Sequence, residues 1–221
     1  MSRIHPAKNK CEGKARNGSS RCPDQCPTKF TVWKRSSMSF QGTDGFTVFD
    51  EHGRLVFRVD NYSRKGCCAA GGGLVLMDGA GNALMSLRPQ ILSMQCQWNA
   101  YRGEDECKEG QNLKLFSMRR VSSFLDRRRK DVAEVFVGGS KKPAFTVEGS
   151  FRSRNCVIRR SGSEEFVAKI TRKRASPTVL LGTDVFNLVV QDGGNSDLVM
   201  ACVVIMDRIC SKSLAVPVLC S

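Results

Sequence analysis

With 221 residues, 41% of them apolar, the chain has material for one large core or two small ones, and sheet barrels of this size commonly form one domain. Its formal net charge of +14 favours an anionic partner: nucleic acid, an anionic lipid surface or an acidic protein. No stretch approaches the ~20 apolar residues of a membrane-spanning helix, and eleven cysteines, an odd number without an export signal, read as reduced thiols rather than a disulfide scaffold.

Residues 1–29 carry seven Lys and Arg against Glu12 and Asp24, with Ile4 as the one sizeable aliphatic residue. Such a stretch buries too little surface to offset its ordering entropy and reads as a disordered basic tail. Its positive charges are not followed by an apolar run, so it does not read as a secretory signal. Cys11, Cys22, Cys26 and His5 fall within the tail, but a single Cys-x3-Cys pair is a poor match to zinc patterns, and no metal is expected.

Phe30 to Trp33 reads as a first strand. Next comes a hairpin that occurs twice at a constant offset of 28 positions: GFTVFDEHGRLVFRVD from Gly45 and GLVLMDGAGNALMSLR from Gly73. Each copy is an apolar run, an Asp-x-x-Gly connection and a second alternating run, because glycine admits the positive φ that closes a tight turn. In the first return, Leu55, Phe57 and Val59 are expected on one face and Arg58 on the other. Between the hairpins, Cys67 and Cys68 follow Arg64 and Lys65; they suit palmitoylation beside a basic surface, although ordinary loop or core thiols are commoner.

Ile91 to Tyr101 continues the sheet, with Trp98 packing inward, and polar residues from Arg102 to Asn112 make an exposed loop. Strands are expected at Leu113 to Met118, Val132 to Val137 and Ala144 to Phe151. CVIRRSGSEEFVAKITRK makes a further hairpin turning at Ser161 and Gly162, and Val185 to Val190 is the last strand. The pattern then changes. Leu198 to Met206 are all apolar, so a helix here has no polar face and must be surrounded by core. Ser196 suits its N-cap, Asp197 its N-terminal end, and Arg208 and Lys212 its C-terminal end. A buried strand is the alternative, because valine and isoleucine dominate the centre. The favoured outcome is an antiparallel sheet closed around a central helix.

These stretches resemble the plant LURP-one-related family. The resemblance rests on FTVWKRSSMSFQGTDGFTVFDEHGRLVFRVDNYSRK, GGLVLMDGAGNALMSLR, WNAYRGE at Trp98 to Glu104, LFSMRR at Leu115 to Arg120, and LGTDVFNLVV followed by VMACVVIMDRI. It covers about residues 30 to 210 in family order. It implies a tubby C-terminal-like barrel of twelve antiparallel strands enclosing the hydrophobic C-terminal helix, over residues 30–212, with a short tail at 213–221. Tubby-like relatives bind phosphoinositides at the plasma membrane, phospholipid scramblases share the fold, and some members are linked to basal defence against oomycetes. Kinship of fold is an associational warrant for function. No stretch aligns with the lipid-contacting basic residues of tubby closely enough to carry them over.

Enzymatic readings fare badly. The two histidines lie in the tail and in a hairpin turn, the cysteines have no identifiable histidine partner, and Gly71 to Gly73 lacks the Lys-Ser/Thr of a phosphate loop. A non-enzymatic binding module needing no cofactor is expected. Two basic concentrations serve as candidate lipid-headgroup sites: Arg127, Arg128, Arg129 and Lys130, and Lys169, Arg172, Lys173 and Arg174. Arg119-Arg120-Val121-Ser122 has the spacing that basophilic kinases prefer, making Ser122 a candidate phosphorylation site, though such motifs are common by chance. The expected partners are an anionic phospholipid surface or, as the alternative, signalling proteins for which the chain is a defence-response scaffold. Sequence-specific DNA binding is disfavoured because the one helix reads as buried. The expected state is a monomer in the cytoplasm, at the inner face of the plasma membrane, or in the nucleus through the Arg127 to Lys130 cluster.

Overall fold

The fold was analysed in a computed structural model, which describes residues 26–35, 45–60, 73–90, 96–103, 113–121 and 131–211. The strands are β1 (Thr28–Arg35), β2 (Gly45–Asp50), β3 (Leu55–Asp60), β4 (Leu74–Asp78), β5 (Ala83–Pro89), β6 (Trp98–Arg102), β7 (Lys114–Arg120), β8 (Asp131–Val137), β9 (Phe145–Ser150), β10 (Asn155–Arg160), β11 (Phe166–Arg172) and β12 (Val185–Val190), followed by helix α1 (Ser196–Ser211). Each strand pairs antiparallel with its chain neighbours, and β1 with β12 closes the ring. This is the twelve-stranded barrel around one helix that the resemblance implies, and the sheet closed around a central helix that the apolar pattern predicts. Closure leaves no strand edge unpaired.

The repeated hairpins match in detail. In both, the turn glycine takes a positive φ, +77° at Gly53 and +94° at Gly81. In both, the aspartate four residues earlier in the loop closure accepts a backbone N–H: Arg54 N–H to Asp50 Oδ1 at 2.9 Å, and Asn82 N–H to Asp78 Oδ1 at 2.8 Å. Each copy also has a register shift at the equivalent place, between Val48 and Phe49 and between Leu76 and Met77. That bulge explains a departure from expectation: Leu55 pairs with Phe49 beyond the shift and is exposed, whereas Phe57 and Val59 are buried as foreseen. An extra residue on one strand breaks the period of two.

Trp98 is buried, but its strand begins at Trp98 itself rather than at Ile91. Gln97 and Cys96 precede the strand, Cys96 with φ of 50°, and residues 91–95 lie outside the described residues. The core is the inward residues of every strand wrapped on α1. Val199 to Met206 are at most 1% exposed, so the helix has no solvent-facing side along its centre. Full burial of a Val, Ile or Met side chain contributes about 1.5–3 kcal/mol, so this segment anchors the fold. The N-cap is Asn195 rather than Ser196: its side-chain oxygen accepts the Leu198 N–H at 2.9 Å, three residues on, while Ser196 is already the first helical residue. Asp197 stands in the first turn, where burial pushes its carboxyl above the usual range.

The meander gives the barrel two distinct ends. The turn end carries the connections 51–54, 79–82, 138–144 and 161–165, together with the start of α1. The helix-exit end carries the 151–154 turn, the 173–184 connection from β11 to β12, and the C-terminus of α1.

Candidate functional site

The helix-exit end gathers most of the chemistry that the barrel leaves open. Its most developed element is the connection after β11. Arg174 bridges to Leu180, Leu181 donates its N–H to Lys173 O at 2.9 Å, and Ala175 donates to Val179 O at 2.9 Å, making a small hairpin whose tip runs Ser176, Pro177, Thr178, Val179. Proline pre-sets φ at the tip, and the Ser176 hydroxyl accepts the Val179 N–H at 3.2 Å, a turn chemistry local to these residues.

Of the four basic residues of the second predicted cluster, Arg172, Lys173 and Arg174 lie at the root of this hairpin and Lys169 lies midway along β11, so they do not converge on one point. Lys169 is exposed on the outer wall of β11, between Val157 and Val189 of the flanking strands. Lys173 reaches across that wall to donate to Thr31 Oγ1 at 2.9 Å. Arg172 continues the register of Ala168 and Ile170 to the barrel mouth and donates to Leu181 O at 2.9 Å, and Arg174 donates to Pro177 O at 2.6 Å. All three acceptors are neutral. From Phe166 to Thr183 the sequence holds these four cations and no carboxylate.

Cations elsewhere on the described wall fare differently. Arg119 donates through Nη2 to Glu134 at 2.9 Å and lies over Phe136, and Arg159 meets Glu148 at 3.3 Å. Surface pairs of this kind contribute about 0–1 kcal/mol, but they cancel charge locally. Arg119 and Arg159 thus each meet a carboxylate, whereas among the described residues no ion pair joins Lys169, Arg172, Lys173 or Arg174 to one.

Beneath the hairpin lies a buried ionic latch. Asp207, in the last turns of α1, accepts from Lys34 Nζ at 3.0 Å and faces Arg154 Nη2 at 3.7 Å. Arg154 is 5% exposed, donates Nε–H to Thr183 O at 2.7 Å, and is sandwiched over Phe151 and Phe186 at 4.4 and 4.3 Å from the ring centroids. Burial draws its guanidinium below the ordinary value, while the carboxylates of Asp207 and Asp184 push it back up. Arginine stays charged under these conditions. Arg152 adds a bond from Nη2 to the Cys210 carbonyl at 2.9 Å, satisfying a C-terminal helix carbonyl. One guanidinium therefore ties the root of the hairpin, at Thr183, to the central helix.

Sequence reasoning misses Arg154, Lys34 and Asp207 as a unit. The available signal is Asp207, a carboxylate directly after a nine-residue apolar run in a helix that must be buried. Trp33, which the sequence places in a strand without a role, is 53% exposed on the outer face of β1, where it pairs in register with Val185 at the foot of the hairpin.

Arg127, Arg128, Arg129, Lys130 and Ser122 lie outside the described residues, as do Cys67, Cys68, Cys11, Cys22 and His5. The described cysteines, Cys26, Cys96, Cys156, Cys202 and Cys210, are free thiols. Burial pushes the thiols of Cys156 and Cys202 up to about 12, so both are protonated and poorly nucleophilic at neutral pH.

A family model described as LURP-one-related matches residues 28–207. Among curated proteins of Arabidopsis thaliana, LURP-one-related 5 is 38% identical over 182 residues, covering 82% of this chain and 83% of the relative. LURP-one-related 8 is 32% identical over 96% of this chain and 100% of its own length, and LURP-one-related 17 is 31% identical over 83% and 84%. An X-ray structure of an Arabidopsis thaliana protein superposes with a TM-score of 0.55 at 22% identity, covering 83% of this chain and 91% of that one, a likeness of fold.

Proposed function

The chain belongs to the LURP-one-related family, and on that premise we propose that it is a non-catalytic binding module that docks on anionic phospholipid surfaces through its helix-exit end. The observation that carries this reading is the stretch from Phe166 to Thr183, between Glu165 and Asp184, where among the described residues no ion pair joins Lys169, Arg172, Lys173 or Arg174 to a carboxylate and the three that bond do so to neutral oxygens. A hydrogen bond to a carbonyl orients a cation without cancelling its charge. Each Lys or Arg near an anionic leaflet contributes about 1 kcal/mol, and the effect decays within a Debye length, about 8 Å at physiological salt. Phosphoinositide headgroups, with several phosphates in a small area, are the favoured target within that class. The protonated thiols of Cys156 and Cys202 support a binding role over covalent catalysis. Closure of the barrel suits a monomeric module, acting at the inner face of the plasma membrane.

The test is co-sedimentation of the full chain with vesicles of phosphatidylcholine, with added phosphatidylserine, and with added phosphoinositide, across a salt series. Binding should need anionic lipid and weaken steeply with salt. Lys169→Gln and Arg174→Gln should each reduce affinity about fivefold, the equivalent of ~1 kcal/mol. Failure to sediment at low salt would favour the second reading, a scaffold for protein partners in defence signalling, which the same cations support through an acidic partner surface.

A further inference from the structure

The hairpin offers more than charge. Among the described residues the large apolar side chains most open to solvent are Trp33, Leu55, Leu113, Phe166, Val179 and Leu180. Three of these stand at the turn end, where Leu55 lies close behind Glu51 and Phe166 directly follows Glu164 and Glu165. An anionic surface repels the neighbourhoods of Leu55 and Phe166, while Leu113 precedes Lys114. Val179, 52% exposed, and Leu180, 42% exposed, instead stand on a hairpin rooted in Arg172, Lys173 and Arg174, with Trp33 on the adjoining strand.

Part of the backbone of this hairpin is already paired, which lowers the cost of contact with an apolar medium, where each unpaired N–H or C=O is costly. The amides of Ala175, Val179 and Leu181 bond within the hairpin. The carbonyls of Pro177 and Leu181 are covered by Arg174 and Arg172. Even the Ser176 and Thr178 hydroxyls meet each other, at 3.3 Å. The latch through Arg154 and Thr183 holds the root of the hairpin to the barrel, so that little ordering remains to be done on contact.

We infer that Val179 and Leu180 enter the boundary between headgroups and acyl chains of an anionic leaflet, with Trp33 seated at the interface beside them and the hairpin cations at the phosphates. Amphipathic tryptophan favours that depth. This deepens the lipid-binding reading and rests on it. Binding then has two parts: an electrostatic one that salt removes, and an apolar one that salt leaves.

The full chain is mixed with phosphatidylcholine–phosphatidylserine–phosphoinositide vesicles whose acyl chains are brominated, and tryptophan emission and sedimentation are both recorded. Trp98 is 3% exposed in the core, which makes Trp33 the reporter among the chain's two tryptophans. Trp33 should shift to the blue and be quenched, and Trp33→Phe should lose the quenching and sediment with weaker affinity than the wild type. Val179→Asp and Leu180→Asp should each reduce affinity about tenfold or more, the change expected for losing a buried Val or Leu side chain, with unchanged unfolding midpoints because both residues are exposed. Sedimentation without quenching, with the Asp variants binding as the wild type does, overturns insertion and leaves the lipid reading standing. No sedimentation of the wild type with any vesicle at low salt overturns both, and assigns the hairpin to an acidic protein surface.

Discussion

The two ends of the barrel solve the same problem with opposite charges. At the turn end, tight loops leave backbone N–H groups without ladder partners, and the carboxylates of Asp50 and Asp78 accept them: His52 and Arg54 on Asp50, Asn82 on Asp78. At the helix-exit end, a wider hairpin and a helix terminus leave carbonyls, and guanidinium groups cover them: Arg172 on Leu181, Arg174 on Pro177, Arg154 on Thr183, Arg152 on Cys210. Satisfying N–H groups fixes negative charge in place, and satisfying carbonyls fixes positive charge. The difference teaches that the two ends are tied off by different side chains, carboxylates at the Asp-x-x-Gly hairpins and guanidinium groups around the 173–184 connection and the helix terminus.

The sharpest way to break the comparison is at the latch. Asp207→Ala leaves Arg154 buried and facing no carboxylate in the helix, and should cost about 3–5 kcal/mol in denaturant unfolding. Arg54→Ala, removing the exposed partner of Asp50 at the other end, should lower the unfolding midpoint only slightly. A smaller contrast comes from backbone conformation. Gly149 has φ of +99°, and an added Cβ would sit 2.3 Å from the Asn155 carbonyl oxygen, so Gly149→Ala should cost about 2–4 kcal/mol. Gly53 has positive φ but open space around it, and Gly53→Ala should cost only ~1 kcal/mol.

The smallest effect is one of pH. The Asp50 carboxyl is partly desolvated, which raises its pKa, but bonds from the Arg54 backbone and side chain and the His52 backbone outweigh this and hold it below the usual range. Asp78 is held down by the Asn82 side chain and backbone. A carboxylate with a depressed folded pKa contributes stability that is present above the unfolded value, about 3.9, and is lost as pH falls through the folded value. Thermal midpoints measured between pH 6 and pH 3 should therefore fall less in the Asp50→Asn, Asp78→Asn double variant than in the wild type. Arginines at the helix-exit end keep their charge throughout and give no matching titration.

Much of the barrel was legible because its signals are local. The Asp-x-x-Gly repeat fixed two hairpins, and the structure reproduces even their bulges at the same offset. The apolar run of α1 required a core on every side, and it has one. The cap is legible only to within one residue because Asn195 and Ser196 are both good caps, and only backbone geometry decides between them. The latch was not legible because its members, Lys34, Arg154 and Asp207, are far apart in sequence and meet only on closure of the barrel. Along 169–174 the sequence shows a run of cations, but it could not show that Arg172 and Arg174 serve the hairpin while Lys169 and Lys173 face the outer wall.

Hydrogen exchange of the full chain with and without anionic vesicles compares the two ends in a single sample. Slowed exchange in residues 174–181, with the turns 51–54 and 79–82 unchanged, is the result that a barrel docking by its helix-exit end predicts. Protection of the turn end, or equal protection of both ends, would contradict it.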